Sequence, residues 1–191
     1  MNITNAQELQ AFLALSEKER GELDNITLRL NFLDLSDLTG SSRANLQSIC
    51  TALSQCKALE TIDLRYSDIY TLEEVTQFQM LWGAILQGKP LLRTIGLTQN
   101  SLGELDPTRF QIFSTALSRC KALHTIDLTY NELEQLDTAR LQVLNKAFLQ
   151  CKALHTISLR RNNFDPLDTD KFEALYSSLE KCETLCNVIL G

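Results

Sequence analysis

Cysteine and histidine are the side chains in this 191-residue sequence that are best suited to metal binding or nucleophilic catalysis. A zinc site needs ligand pairs two to four residues apart, and only Cys182 and Cys186 come near that spacing. No second pair and no neighbouring histidine complete such a site. We therefore expect no bound metal and no cofactor.

The two histidines, His124 and His155, each directly follow a leucine in two copies of one sequence segment. Nucleophilic catalysis by serine or cysteine requires a histidine that is held by an acid and lies beside the nucleophile. Nothing besides stacking of the two copies brings these histidines together. We expect both side chains to face solvent, and we predict no catalytic residue and no enzyme activity.

These copies belong to an internal repeat of about 31 residues. The segment Cys-Lys-Ala-Leu starts at residues 56, 120 and 151, and a related copy starts at Cys182. The leucines that align the units are spaced 36, 33, 31, 31 and 31 residues apart, and they are Leu23, Leu59, Leu92, Leu123, Leu154 and Leu185. The cysteines share one position at the end of each unit's helix, so we expect them to be buried, unpaired packing residues. Cysteines that are buried and form no disulfide indicate a protein of a reducing compartment.

Each unit follows the pattern LxxIxLxxNxL, as in Leu123, Ile126, Leu128, Asn131 and Leu133. The alternation at its centre predicts a short strand in every unit, with starts near residues 23, 59, 92, 123, 154 and 185. About 15 residues with helical spacing follow, which predicts a helix that covers the same core.

The predicted helices also have start signals in register. Aspartates 31 residues apart predict N-caps at Asp106, Asp137 and Asp168. Pro107 suits the first position of a helix, and Thr71 with Glu74 has the spacing of a capping box. We expect these residues to begin the helices of successive units.

The chain divides into a cap and an array. Residues 1–22 are predicted to form an N-terminal helical cap, because Leu9, Phe12 and Leu13 have helical spacing between Thr4 and about Arg20. Residues 23–191 form the repeat array. The last strand of the array would leave one edge unpaired.

The repeat resembles the leucine-rich repeat family, and its long units with Cys-Lys-Ala-Leu are most similar to the ribonuclease-inhibitor-like class. The resemblance implies an α/β solenoid, or horseshoe, with parallel strands on the concave face and helices on the convex face. It also implies that the repeat asparagines bond to backbone groups in the turn after each strand, and these are Asn31, Asn100, Asn131 and Asn162. Ser67 replaces this asparagine in the second unit, which changes the expected hydrogen bonding there.

The concave face carries the residues that vary between units. Threonines at one strand position, such as Thr61 and Thr94, are expected to be structural, whereas the neighbouring positions mix arginine, tyrosine and aspartate. Arginine and tyrosine are enriched in protein-binding hot spots. The predicted protein-binding residues are Arg29, Leu30, Asp63, Arg65, Tyr66, Gln99, Asp127, Thr129, Tyr130, Ser158, Arg160 and Arg161.

These residues predict a non-enzymatic protein-interaction module, monomeric and cytosolic, with a protein partner. The net charge of −6 argues against a nucleic-acid partner, and no apolar run is long enough to insert into a membrane. The sequence also looks similar to leucine-rich repeat effectors that Legionella delivers into host cytosol by type IV secretion. That resemblance implies binding to a host protein or another effector, whose activity is modulated or inhibited.

Two alternatives remain open. The array could be the recognition part of a larger enzyme, such as a ubiquitin ligase, whose catalytic domain is absent from these residues. Alternatively, the unpaired edge of the last strand could mediate self-assembly.

Overall fold

The computed structural model describes residues 1–29, 41–72, 74–164 and 169–190, and within its helices the side chains of 41–45, 170, 172, 174, 177 and 178 lie outside this description. The strands of this part of the chain form one parallel sheet in chain order. They are β1 Asn2–Ile3, β2 Asn25–Leu28, β3 Thr61–Asp63, β4 Thr94–Gly96, β5 Thr125–Asp127, β6 Thr156–Ser158 and β7 Asn187–Ile189. The α-helices are α1 Ala6–Ala14, α2 Glu17–Gly21, α3 Ser41–Gln55, α4 Val75–Leu86, α5 Pro107–Leu117, α6 Thr138–Gln150 and α7 Thr169–Leu179.

Strand register follows the repeat. In the array, each strand begins two residues after the leucine that aligns its unit, and Thr94 pairs with Thr61 on one side and Thr125 on the other. The next residue of every central strand is an isoleucine that is no more than 1% exposed, and these are Ile26, Ile62, Ile95, Ile126 and Ile157. The isoleucine column therefore forms one wall of a continuous core, because each unit buries it only by stacking on its neighbours.

The helices supply the other wall of this core. Trp82 of α4 packs between Phe78 of the same helix and Phe113 of α5, with ring centroids 6.0 and 4.8 Å away. In α6, the side chains of Leu141, Leu144 and Phe148 are buried. Full burial of each such side chain stabilises the fold by roughly 1.5–3 kcal/mol.

The spacing of the two layers explains the curvature of the solenoid. Paired strands lie about 4.8 Å apart, whereas packed helices need about 8–10 Å. The helix layer is therefore longer, and the sheet lies on the inner side. The predicted leucine-rich repeat solenoid, with strands on the concave face and helices on the convex face, is confirmed.

Two of the predicted N-caps are confirmed and the capping box is wrong. The Asp106 side chain accepts hydrogen bonds from the backbone amides of Thr108 and Arg109, and the Asp137 side chain caps α6 by accepting one from the backbone amide of Arg140. Asp168 lies outside the described residues. The helix α4 begins at Val75 after Glu74, because residues Ile69–Thr71 form a 3-10 turn in which the Thr71 hydroxyl donates to the Asp68 carbonyl.

Residues 1–22, which were predicted to form a helical cap, contain a strand as well as helices. β1 pairs in parallel with β2 and buries Ile3, so it extends the sheet beyond the first repeat. The predicted helical stretch is divided into α1 and α2, since Ser16 starts a new helix with a capping box to Glu19. Leu9 and Phe12 of α1 cover the open end of the core.

The repeat cysteines pack at the helix ends as predicted. Cys56, Cys120 and Cys151 are at most 4% exposed, and the Cys151 thiol lies 3.3 Å from the carbonyl oxygens of both Leu117 and Ala147. Cys182, at the last copy of this position, is half-buried. All six cysteines are unpaired, including buried Cys50 and exposed Cys186, which lie elsewhere in the unit.

Buried side-chain amides join the turns that follow the strands. The Asn131 amide donates to the carbonyls of Leu97 and Thr129, and its oxygen accepts from the amides of Asn100 and Leu102. Asn100 and Asn162 make equivalent bonds, while Asn31 lies outside the described residues. The structural role implied for the described repeat asparagines is therefore present in the structure.

Ser67 preserves part of this pattern in the second unit. Its hydroxyl donates to the Leu28 carbonyl at 3.0 Å, and the Asn100 side-chain oxygen accepts from its backbone amide at 3.2 Å. The shorter serine side chain thus still links its turn to the preceding strand.

Candidate protein-binding surface

Eleven of the twelve predicted binding residues lie on the concave face or in the turn that borders it. Leu30 lies outside the described residues. Strand alternation places the face on the side opposite the buried isoleucines. Its half-buried members are Arg29, Asp63, Asp127, Thr129 and Ser158, and its exposed members are Arg65, Tyr66, Gln99, Tyr130, Arg160 and Arg161.

Asp63 is the centre of an ion-pair cluster at the N-terminal end of the face. Arg29 of the preceding unit places Nη1 and Nη2 at 3.2 and 3.3 Å from the two carboxylate oxygens. Arg65 donates from Nε and from Nη2, the latter at 2.7 Å. All three residues were predicted to bind a partner, and the i and i+2 spacing of Asp63 and Arg65 places both on one face of the strand.

The electrostatics of this cluster keep Asp63 ionised. Partial burial raises the pKa of the carboxyl, but the hydrogen bonds from Arg65 and Arg29 outweigh this effect and lower the pKa to about 2. Gly96 on the next strand makes room for the cluster, because a Cβ there would lie 3.3 Å from Asp63 Oδ1. The absence of a side chain at this position therefore matters for the arrangement of the face.

Asp127 organises a second network at the centre of the face, in which its partners are hydroxyl and amide groups. Its carboxylate accepts hydrogen bonds from the Thr98 hydroxyl at 2.9 Å and from the Thr129 backbone amide at 3.0 Å. The Thr129 hydroxyl also bonds to Asp127 and lies 2.9 Å from the Ser158 hydroxyl. Thr98 is only 8% exposed, and its hydroxyl is part of this network.

The residues that follow each concave strand position adopt a left-handed backbone conformation. Tyr66, Gln99, Tyr130 and Arg161 have φ between 54 and 58°. This left-handed region of backbone conformation is unfavourable for residues other than glycine, asparagine and aspartate. The regular recurrence indicates that the fold imposes the conformation, and it directs four predicted binding residues into a single exposed row.

Arg160 and Arg161 differ from the other arginines of the face. Both are exposed, and neither side chain has a hydrogen bond or ion pair to another residue in the described part of the chain. The Arg160 carbonyl accepts the Tyr130 amide at 3.0 Å, so the backbone places the two arginines next to an aromatic side chain. Tyr130 is 51% exposed.

The two histidines form a stacked pair at the start of β5 and β6. Their ring centroids lie 4.7 Å apart with an angle of 10° between the planes. His124 is exposed and His155 is half-buried, and each Nδ1 lies within hydrogen-bond distance of the following threonine hydroxyl. The parallel rings cannot point their nitrogens at one shared ion, and no cluster of three metal ligands occurs among the residues that the structure describes.

A groove at the helix ends forms a second basic surface. It is lined by Lys89, Arg119 and Lys121 among others. However, Lys89 donates to the Leu53 carbonyl, and Lys121 donates to those of Ser118 and Gln150. These lysines bond to helix C-terminal carbonyls, a stabilising arrangement, so we assign them a structural role.

Comparison with known proteins supports the fold. No protein-family model matches the sequence, and no curated protein matches it. Among solved structures, it is similar to the leucine-rich repeat-containing protein LegL7 from Legionella pneumophila, with a TM-score of 0.51, 13% identity, and coverage of 99% of this chain and 72% of that chain. No helix of the described segments has the length and apolarity that a membrane span requires. At 13% identity the likeness concerns the fold, and it agrees with the repeat architecture expected from the sequence.

Proposed function

We propose that this chain is a non-enzymatic protein-interaction module whose concave face binds a partner protein. The observation that carries the proposal is the exposed row of aromatic and cationic side chains on that face. Tyr66 and Tyr130 are 48% and 51% exposed. Exposed tyrosine and arginine side chains are typical of interface hot spots.

The rigidity of the surface supports the same function. The asparagine side chains, the Asp63 cluster and the Asp127 network hold the backbone and the neighbouring side chains in place before any partner binds. A surface that is already ordered loses less conformational entropy on association. Such preorganisation favours binding through the concave face.

The chemistry of the face favours binding over catalysis. The Thr129 hydroxyl is close to the Asp127 carboxylate and the Ser158 hydroxyl. The histidines instead lie beside Thr125 and Thr156 at the opposite end of the strands. Serine and threonine nucleophiles are commonly activated by a histidine base, and neither histidine lies beside the hydroxyls of Thr129 and Ser158.

We further propose that the chain acts as a bacterial effector in host cytosol. The resemblance of the repeat to Legionella effectors and the fold likeness to a Legionella protein support this proposal. In this role the concave face would bind a host protein or another effector and modulate or inhibit it.

Affinity capture with matched variants tests the binding function. Tyr130→Ala and Arg160→Ala truncate the face, while Val75→Ala and Lys146→Ala remove exposed side chains of α4 and α6. Each face variant should reduce capture of a partner by about five-fold or more, as hot-spot truncation does. The helix variants should capture it like the original chain. Equal capture by all variants would contradict binding through the concave face.

A further inference from the structure

The charge of the concave face is opposite to that of the chain. Its charged residues in the described segments are Arg29, Asp63, Arg65, Asp127, Arg160 and Arg161. Four arginines against two aspartates give the face a formal charge of +2, whereas the whole chain carries −6. The remaining surface is therefore strongly acidic, and the positive charge is concentrated where the proposed partner would bind.

Both carboxylates of the face are already engaged by groups of the protein. Asp63 bonds to Arg29 and Arg65, and Asp127 accepts from Thr98 and Thr129. Neither aspartate is paired with the arginines of the C-terminal half of the face. Because both aspartates bond within the face, Arg160 and Arg161 remain available to bond to a partner.

Arg65 keeps part of its binding capacity. Its Nε and Nη2 bond to Asp63, while Nη1 makes no hydrogen bond to another described residue. A guanidinium group can bond to one carboxylate through one edge and to a second carboxylate through another. Arg65 can therefore donate to a second carboxylate and keep its hydrogen bonds to Asp63.

We propose that the concave face binds an acidic, extended segment of its protein partner, whose aspartate or glutamate carboxylates pair with Arg65, Arg160 and Arg161. This inference rests on the proposed function and specifies the chemistry of the partner. Tyr66 and Tyr130 supply the apolar contacts of the same segment. Arginine is well suited to this role, because its planar fork matches a carboxylate.

The spacing of the strands predicts how far apart the acidic residues of the partner segment should lie. Arg65 follows β3 and Arg160 follows β6, so three strand spacings separate their backbones, which is about 14 Å. An extended peptide covers about 14 Å in four residues. A segment that crosses the strands should therefore carry acidic residues about four positions apart.

The observations favour protein over RNA as the source of the negative charge. RNA presents a phosphate at every nucleotide, and its affinity depends on many cations that together neutralise this charge. The face offers few arginines, includes two ionisable aspartates, and belongs to a chain of net charge −6. A partner with two or three well-placed carboxylates fits this balance better.

Selection from a display library of random peptides of about twelve residues tests the inference, since that length spans the face. The baits are the original chain, Tyr130→Ala, the double variant Arg160→Gln with Arg161→Gln, and a control that changes Arg119→Gln and Lys146→Gln. The control removes the same charge from exposed positions away from the face. Matching circular dichroism and melting curves verify that all four fold.

The expected result is enrichment of aspartate and glutamate in the peptides selected by the original chain and by the control. A synthetic consensus peptide should bind the Arg160 and Arg161 double variant at least about ten-fold more weakly, which corresponds to about 1.4 kcal/mol. The same peptide with glutamine and asparagine at its acidic positions should lose a similar factor. Its affinity should also fall as salt screens the charges.

Different failures have different meanings. Peptides that bind, depend on Tyr130, and show no acidic enrichment would overturn the acidic partner while the proposed concave binding stands. A selection without any peptide that depends on face residues would contradict the proposed function itself. A twelve-nucleotide oligouridylate that competes with the peptide at equal affinity would overturn the preference for protein.

Discussion

The Lys89 ammonium group donates a 2.6 Å hydrogen bond to the Leu53 carbonyl oxygen, at a repeat position that cysteine occupies in four other units. Lys89 lies three residues before Leu92, as Cys151 lies three residues before Leu154. The Cys151 thiol contacts Leu117, which occupies the position equivalent to Leu53. The third unit thus preserves the contact with a different donor and buries a lysine that is only 6% exposed.

Burial of Lys89 predicts a pH-dependent stability difference. Burial lowers its pKa to about 8 from 10.5, so folding disfavours the charged form. This cost is complete below about pH 8 and disappears as pH rises to about 10.5. Relative to Lys89→Met, the original chain should gain up to about 3 kcal/mol over that interval, measured by urea unfolding. Lys146→Met in α6 is the matched exposed control, and parallel curves for Lys89→Met and the original chain would contradict the prediction.

Asp63 predicts a pH dependence of the same sign at the acidic end, because folding lowers the pKa of this group as well. Its pKa of about 2 lies below the ordinary 3.8, so ionised Asp63 stabilises the fold above about pH 4. That contribution is lost as pH falls towards about 2. The stability advantage over Asp63→Asn should shrink by about 2 kcal/mol across this interval. Exposed Glu60→Gln is the control, and a constant advantage of the original chain over Asp63→Asn would show that the ion pairs are not coupled to folding.

Replacement of a repeat asparagine should be strongly destabilising. Asn131→Ala removes the partners of four backbone groups at a buried site, which should cost about 3 kcal/mol or more in chemical unfolding. Asn131→Ser should cost less, since Ser67 makes one such bond. Equal losses for the two variants would argue that packing, and not hydrogen bonding, sets the effect.

The residues with a left-handed backbone provide a test in which the same substitution is made at Gln99, where φ is positive, and at a helical position. Asparagine tolerates positive φ better than glutamine, so Gln99→Asn should raise stability by up to about 1 kcal/mol. The same change at Gln79, inside helix α4, should lower stability by about 0.5 kcal/mol because asparagine is a weaker helix former. Thermal melting of both variants checks the prediction, and effects of the same sign would refute it.

Thiol reactivity should separate the cysteines by burial. Burial raises the pKa of the Cys50, Cys120 and Cys151 thiols to about 12, which suppresses the reactive thiolate. Exposed Cys186, and more slowly half-buried Cys182, should react with a thiol reagent in the native protein. The others should react after denaturation. Rapid labelling of all six thiols without denaturant would contradict the burial, and a mass increase upon reduction would contradict the absence of disulfides.

The repeat made much of the architecture predictable. Leucine and isoleucine recur at fixed offsets, so one unit's strand and helix predict those of the next. The predictions that depended on short, isolated signals were less reliable. The Thr71 and Glu74 spacing matched a capping box by chance, because Thr71 ends a 3-10 turn and α4 begins at Val75. β1 was missed since two residues leave no alternation to detect.

Sequence periodicity was sufficient to identify the solenoid, its buried columns and the candidate face, because those features depend on local residue order and are repeated. Contacts between units depended on the tertiary structure. The ion pair between Arg29 and Asp63 joins residues that are 34 positions apart in the sequence. The hydrogen bond from Lys89 to the Leu53 carbonyl joins residues that are 36 positions apart. Such contacts form only when stacking sets the strand register and the distance between neighbouring units. The same stacking left Arg160 and Arg161 without an acidic partner in the described structure, and the proposal that they pair with carboxylates of a partner protein rests on this finding.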